Sequence, residues 1–372
     1  MKQKHVLLLI TPSSPGRFAG IAAYAKTHGW HLTVADRLTH AFDGWTGDGA
    51  LVTLRDDERT IRYVRSLRRR RIPVVDLSCT RPEIKLPRVS ADNAAIGRAA
   101  AEHFHDRNYR HTAWYSTTYG YQHDLRAEAF RGDERWVWTE SDNAALSDDW
   151  RSLSKWLAEL LKKAPKPLGV FCYDDADASR VESVALASGF SIPEDVAILG
   201  AGNDIPLCEA QTIPISSVRH DLMRNGTEGA SLLDRLMNGE ATARSFHLAL
   251  PPDGVAERAS TDAFATSDPI VRRALDIYLS DLARPPSTVM LAERLGISRA
   301  TLDRAFAADT GLSPAKMLMK LRLAEAKRLI REDQLSLTEI SARLGFCNPA
   351  YFTNAFRLSF GHPPRDERRA CN

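Results

Sequence analysis

No apolar run in this chain approaches the roughly 20 residues that a helix needs to cross a bilayer. The first apolar stretch, Val6–Ile10, follows Lys2 and Lys4 as a secretory leader would. It is too short and breaks at Thr11-Pro12, so a buried first strand is expected instead. Paired cysteines are missing as well. Cys79, Cys172, Cys208, Cys347 and Cys371 lie far apart with no Cys-x-x-Cys, which fits a reducing cytoplasm rather than a disulfide framework. There is no Walker Gly-x-x-x-x-Gly-Lys-Ser/Thr, no His-Glu-x-x-His and no Gly-x-Ser-x-Gly. Gly200-Ala201-Gly202 lies late in the chain and lacks the third glycine of a dinucleotide fingerprint. The eleven histidines are scattered without metal-ligand spacing. Asp174, Asp175 and Asp177 could in principle hold a metal, but they begin a helix and read more economically as caps or ligand contacts. No catalytic residue, metal or cofactor is therefore expected. An enzyme built on a doubly wound α/β domain is the rival reading.

What is present is a long chain with two textures. Its 372 residues suggest two or three domains, and 44% hydrophobic with 26% charged residues is ordinary for globular proteins. The net charge of +3 is uneven: residues 270–372 carry 17 Lys and Arg against 11 Asp and Glu, so the remainder is net negative. Attraction to phosphate is thus biased toward the C-terminal part.

From residue 5 to about 250, short apolar runs alternate with helical patterns. The expected strands are His5–Ile10, His31–Ala35, Ala50–Leu54, Pro73–Leu77, Thr112–Ser116, Trp136–Thr139, Leu168–Tyr173 and Val196–Gly200. The expected helices are Phe18–Thr27, Ile61–Arg70, Ala94–Asp106, Leu125–Arg131, Trp150–Lys163, Ala176–Ser188 and Leu222–Met237. This rhythm predicts an α/β fold of two doubly wound parallel sheets, with the chain passing between halves near residues 105–115. The basic run Arg65, Arg68, Arg69, Arg70 and Arg71 reads as a solvated helix end, where cations meet the helix dipole favourably.

In such sheets ligands bind beyond the carboxyl ends of the strands. Those ends carry Ser13-Ser14-Pro15-Gly16-Arg17, Ser90-Ala91-Asp92-Asn93, Thr117-Thr118-Tyr119-Gly120-Tyr121 with Arg126, Asp174-Asp175-Ala176-Asp177, and Gly202-Asn203-Asp204. Carboxylates accept hydroxyl protons, Arg and Asn donate to ring and hydroxyl oxygens, and an aromatic ring packs on a C–H face. Arg17, Asp92, Tyr121, Arg126, Asp174, Asp175, Asn203 and Asp204 are accordingly candidates for a monosaccharide-like ligand. The plainer alternative is that Asp174, Asp175 and Asn203 only cap the following helices.

Residues 251–269, rich in Pro, Gly, Ser and Thr, read as a junction, and Asp268-Pro269 caps a new helix. The expected division is 1–258, a linker 259–269, and 270–372. In the last part Arg294-Leu295-Gly296-Ile297-Ser298 is echoed by Arg343-Leu344-Gly345-Phe346-Cys347. Each block ends a short helix and precedes an amphipathic one, whose Leu302 and Phe306, or Phe352 and Phe356, share a buried face. Helix, Gly-containing turn, helix is the helix-turn-helix pattern, and two copies joined by one long helix from Pro314 are far more specific than one. Double-stranded DNA is the implied partner. Ser298, Arg299, Ala300, Thr301, Asp303 and Arg304 are candidates on the first recognition helix. Asn348, Pro349, Tyr351, Thr353, Asn354 and Arg357 are candidates on the second. The first looks the stronger reader.

The N-terminal stretches Ile72-Pro73-Val74-Val75, Val89–Asn93, Tyr173–Ala176, Ile192–Gly200 and Ile213–Val218 resemble the periplasmic-binding-protein-like core of the LacI/GalR repressors. That resemblance implies a two-lobed sensor binding a sugar between its lobes, with Arg126, Asp175, Asn203, Asp204 and Arg17 at matching ligand positions. Gly202 falls where related sugar binders often carry an acid, and the chain opens on a strand rather than on that family's helix-turn-helix. Residues 270–370 resemble the AraC/XylS-type DNA-binding domain through Leu291–Ser298, Gly311–Pro314, Arg322–Ala326, Ile340–Phe346, Tyr351–Phe356 and Gly361–Pro364. That resemblance implies two recognition helices in successive major grooves about 34 Å apart. The usual aromatic before the final Arg is Glu367 here. Joined with the junction Pro251–Asp262, the two parts resemble regulators of sugar operons. They imply a cytoplasmic, homodimeric activator responsive to xylose or a related pentose, binding operator DNA and contacting RNA polymerase. A DNA-binding protein whose N-terminal part only dimerises is the third reading.

Overall fold

The computed structural model describes residues 3–10, 15–35, 42–54, 57–117, 119–131, 135–139, 149–240, 242–243, 245–331 and 334–371. The first lobe opens with β1 (Lys4–Leu9), α1 (Pro15–His28), β2 (Trp30–Val34), β3 (Gly49–Val52), α2 (Glu58–Arg69), β4 (Val74–Asp76) and β5 (Arg88–Ala91). The second is built from α3 (Asn93–Asp106), β6 (His111–Ser116), α4 (Tyr121–Phe130), β7 (Arg135–Thr139), α5 (Trp150–Lys163), β8 (Leu168–Cys172), α6 (Asp175–Ala187), β9 (Val196–Ala201), α7 (Ile205–Glu209) and β10 (Ser216–Val218). Then α8 (Leu222–Met237) and β11 (His247–Leu250) return to the first lobe, and β12 (Val255–Ala256) returns to the second.

The sheet orders are β11-β5-β4-β3-β1-β2 and β12-β10-β9-β8-β6-β7. All pairs are parallel except β12 with β10. In each sheet the first strand sits inside, with the second strand on one flank and the third on the other, which is the doubly wound arrangement expected from the βαβα rhythm. Two-sided cover explains why the strands read as continuous apolar runs. Val6 and Leu8 pack with Ile21 and Leu233 on one face, while Leu7 and Leu9 meet Ile61, Val64 and Leu67 on the other. In the second sheet Val170 and Ile198 face Leu157 and Val181, whereas Phe171 and Leu199 face Phe104 and Phe130.

The first crossing lies at Asp92, earlier than residues 105–115, because α3 packs on α4 and already belongs to the second lobe. The chain recrosses at 219–221 and 251–254, so three crossings join the lobes. They are tied together by Asp92 N–H to Leu250 O at 2.7 Å, Arg219 N–H to Gly254 O at 2.8 Å and Asp253 N–H to Arg219 O at 2.9 Å. Strands β5, β10, β11 and β12 exceed the eight expected, since each has only two to four residues, too few to show a clear periodicity. The basic run does close a helix: Arg70 caps α2 and donates to Trp45 O at 2.7 Å. No helix among the described residues is long and apolar enough to cross a membrane.

A 3-10 turn, Ala259–Thr261, is built into the second lobe: Ser260 donates to Ile198 O at 2.6 Å, and His103, Thr261 and Ser216 form a buried chain. The C-terminal part comprises α9 (Pro269–Ser280), α10 (Thr288–Leu295), α11 (Arg299–Thr310), α12 (Pro314–Arg331), α13 (Leu337–Arg343), α14 (Pro349–Phe360) and α15 (Pro364–Cys371). Its two units have separate cores, one around Leu291, Leu302 and Phe306, the other around Ile340, Phe352 and Phe356. The helix α12 contributes Met317 and Leu321 to the first and Leu323, Ala326 and Ile330 to the second. At the end of the chain Glu367, standing where the resembled family has an aromatic, is buried and pairs with Arg331 at 2.6 Å and His362 at 3.2 Å.

Candidate ligand cleft and DNA-reading surface

The strand ends of the two sheets bring most of the sugar-type candidates into one neighbourhood. Arg126 on α4 is buried. Its Nε donates to Asn93 Oδ1 at 2.7 Å, another nitrogen donates to Tyr173 O, and the guanidinium lies 4.6 Å from the Tyr173 ring centroid. Burial lowers its pKa, against the opposing pull of Tyr173, Asp174 and Asp175. Asp175 is buried, with Oδ1 accepting from Ser217 Oγ at 2.6 Å and Oδ2 from the Asp204 amide at 2.7 Å. Burial raises its pKa, and these two donors pull it back. Asp177, bonded to Thr117 Oγ1 at 2.8 Å, is raised to about 7 by burial and by Asp174.

Asn203 adopts φ 55°, within the left-handed region that Asn tolerates. Its amide N–H donates to Ser217 Oγ at 2.9 Å, and its side-chain oxygen accepts from Arg258 at 2.9 Å. Arg17 on α1 donates to Asn225 Oδ1 at 2.7 Å, and Asn225 in turn donates to Val89 O. Burial lowers the Arg17 pKa to about 10, opposed by Asp76. Asp76, raised to about 6 by burial, lies 3.4 Å from Arg88.

The cap alternative is realised in part. Asp92, Asp174 and Asp204 accept the N-terminal amides of α3, α6 and α7. Asp175 and Asn203 do not cap; they tie the β8 and β9 ends to β10. Tyr121 begins α4 and is exposed. Thr11–Ser14 and Thr118 lie outside the described residues.

Four participants were not singled out as site residues from the sequence. Asn93 and Tyr173 hold Arg126, and Ser217 holds Asp175. His220, in the second crossing, has its pKa driven down to about 3 by burial and by Arg126 and Arg17, one from each lobe. Asn93 and Tyr173 adjoin residues already chosen at the strand ends. Ser217 lies within, and His220 just after, the three-residue strand β10, which lacked a clear pattern.

The two glycines near β9 have a physical reason unrelated to nucleotides. A Cβ on Gly200 would stand 2.3 Å from Asp175 Oδ1, and one on Gly202 would stand 3.1 Å from Oδ2 at φ +131°. An acid at 202 would therefore crowd Asp175 with like charge.

On the C-terminal domain, Ser298 caps α11 through the Thr301 amide at 3.1 Å, and Asn348 caps α14 through the Tyr351 amide at 2.7 Å with Pro349 in its first turn. Gly296 ends α10 at φ 70°, which makes the tight turn. Ser298, Arg299, Ala300 and Arg304 are exposed, while Thr301 and Asp303 are half-buried. Asn348, Pro349, Tyr351, Thr353, Asn354 and Arg357 are all exposed. Arg299 lies 3.6 Å from Asp303, and Arg357 donates to Asn354 at 3.1 Å. Leu302, Phe306, Phe352 and Phe356 are fully buried on the opposite faces.

The family described as "Periplasmic binding protein-like domain" matches residues 101–261, and that described as "Helix-turn-helix domain" matches residues 291–370. The Xylose operon regulatory protein of Escherichia coli (strain K12) is 23% identical over 372 residues, covering 94% of this chain and 92% of that protein. A solved structure described as the xylose-binding transcription activator xylR superposes with a TM-score of 0.61 at 22% identity, covering 100% and 99% of the two chains. A LacI family transcriptional regulator from Enterococcus faecalis V583, solved with bound ribose, gives 0.57 at 20% identity over 70% of this chain and 99% of its own. The chain thus joins a periplasmic-binding-protein-like α/β part to a C-terminal helix-turn-helix domain.

Proposed function

We propose that this protein is a sugar-responsive transcription regulator, with residues 1–258 as sensor, the turn Ala259–Thr261 docked on it, the rest of the 259–269 junction as linker, and 270–372 as DNA reader. The observation that carries this reading is the combination in one chain of a polar cleft at the strand ends and two exposed recognition helices on separately cored units. Relatives similar over nearly the full length include a xylose operon regulator and a xylose-binding activator, which supports both halves of the assignment.

Xylose or a related pentose is the effector we assign, bound by Arg126, Asp175, Asn203 and Asp204 with Arg17, Asp92, Tyr121 and Asp174 around it. The carboxylates would accept sugar hydroxyls and the guanidiniums would donate to its oxygens. Operator DNA would be read by Arg299, Thr301 and Arg304 on α11 and by Tyr351, Thr353, Asn354 and Arg357 on α14, with Ser298, Ala300, Asp303, Asn348 and Pro349 shaping the contact. The protein acts in the cytoplasm as a homodimeric activator that engages RNA polymerase, without catalysis of its own. A ligand shifts the balance between two states only by binding them unequally. The sugar therefore favours one angle between lobes whose three crossings form the hinge.

Thermal-shift screening of pentoses and hexoses, followed by footprinting upstream of the gene with and without the best ligand, tests the assignment. Stabilisation by a pentose and a ligand-dependent footprint are expected. Absence of stabilisation by every sugar would overturn the sensor half, and absence of a footprint would overturn the reader half.

A further inference from the structure

Along α12, Lys320, Lys327 and Arg331 recur at spacings of seven and four, so they share one stripe. Spacing on a DNA-binding domain would place such cations toward solvent or phosphate. Here the stripe faces protein. Lys327 is 6% exposed, with its ammonium paired to Glu102 and 3.8 Å from Asp106. Those carboxylates stand one turn apart on α3. The same ammonium lies 4.8 Å from the Phe360 ring centroid, which links it to the second helix-turn-helix unit. Lys320 donates to His105 O at 3.3 Å and lies 5.4 Å from the Phe264 ring centroid. The Arg331 guanidinium lies 3.8 Å from where a Cβ on Gly254 would stand, in the third crossing between the lobes.

A lysine is buried this deeply only when its charge is met, and Glu102 and Asp106 meet it. The other end of α3 begins at Asp92 and Asn93, and Asn93 holds Arg126 in the cleft. One rigid helix thus has the cleft at its N-terminus and the DNA-binding domain at its C-terminal half.

We propose that the Lys320–Lys327–Arg331 stripe is a latch that fixes the helix-turn-helix domain on the second lobe. With the latch closed, both recognition helices move with that lobe as one body, and Arg331 senses the crossing that bends when the lobe angle changes. With the latch open, cleft occupancy and DNA binding become independent. The coupling rests on the sugar-sensor reading above; the docking does not.

The test uses the full-length protein with Lys327→Met and, from the opposite side, the double variant Glu102→Gln/Asp106→Asn. Without any sugar, amide exchange at residues 102–108 and 320–331 is expected to speed up about tenfold in both, while α11 and α14 keep their protection and X-ray scattering shows a larger radius. Unchanged exchange in both variants would overturn the latch. So would loss of protection throughout α11 and α14, which would assign Lys327 to the folding of the domain. In a second arm, D-xylose is titrated against wild type and Lys327→Met bound to DNA from upstream of the gene. The sugar-dependent change in DNA affinity should shrink about fivefold or more in the variant, with sugar affinity retained. A wild type indifferent to D-xylose would count against the sensor reading, while the exchange arm would still decide the latch.

Discussion

Arg258 donates to the side-chain oxygen of Asn203 at 2.9 Å, from the segment that leads out of the α/β part to a residue beside the cleft. The same guanidinium reaches Glu209 and Ile215 O, so one side chain clamps the loop after β9 to the start of the junction. Arg258→Ala should leave Asn203 and Ile215 O short of a donor. Loss of a charge-assisted bond in a half-buried setting costs about 1–3 kcal/mol. A lower denaturation midpoint and weaker pentose binding are expected together. Weaker binding with an unchanged midpoint would place Arg258 in ligand contact rather than in the clamp.

Gly200→Ala tests the space around Asp175. The added methyl would fall 2.3 Å from Oδ1, so either β9 or the carboxylate must move. Overpacking of this kind costs about 1–3 kcal/mol. Both stability in urea and sugar affinity should fall, and an affinity equal to wild type would show that Asp175 does not set the cleft. Gly202→Asp should be worse, adding like charge and a backbone conformation disfavoured for a side chain.

His220 and Asp177 predict opposite contributions to acid stability. The His220 pKa is depressed to about 3 by burial and two guanidiniums. The unfolded chain therefore binds a proton that the folded chain refuses below about pH 6.5, and stability is lost on acidification. Asp177 is raised to about 7. The folded chain therefore holds a proton that the unfolded chain releases, and its contribution is present at about pH 4 and lost as pH rises toward 7. Across pH 4–6, His220→Gln should flatten the rise of unfolding free energy with pH by up to about 1.4 kcal/mol per unit, and Asp177→Asn should steepen it. Urea melts at half-unit intervals measure both. Two variants with parallel slopes would refute this electrostatic assignment.

Arg304 is exposed on α11, with Nε 3.4 Å from Ala300 O, whereas Arg299 is engaged by Asp303. Arg304→Ala should cost about 1–3 kcal/mol and relax base preference at one position if the side chain reads guanine. Uniform weakening across all sequences in a binding-site selection would mean phosphate contact alone. Asp303→Ala should free Arg299 and remove a negative charge near the DNA, raising affinity and steepening its salt dependence.

Much of this architecture could be read from the residues alone. Helix starts were legible because capping chemistry is local: Asp268-Pro269, Ser298 and Asn348-Pro349 each begin a helix as their side chains dictate. The strands β1, β6, β8 and β9 were legible because burial on both faces leaves unbroken apolar runs. The short strands β10, β11 and β12 were not, because two to four residues without an unbroken apolar run carry no period, and neither was the position of the first crossing. That α3 belongs to the second lobe is set by packing on α4, not by any residue near Asp92.

The sequence by itself determined two α/β halves, a junction and a paired helix-turn-helix, since periodicity, caps and turn residues act over a few positions. Only the tertiary structure decided which strand-end residues meet. It divided the acids into caps at Asp92, Asp174 and Asp204 and a buried tether at Asp175, and it brought His220 under the charge of two arginines from different lobes. It also turned the α12 stripe inward, placing Lys327 against Glu102, more than two hundred residues away in the chain. No local pattern can signal such a pairing, because the burial that makes it necessary exists only once the domains are packed.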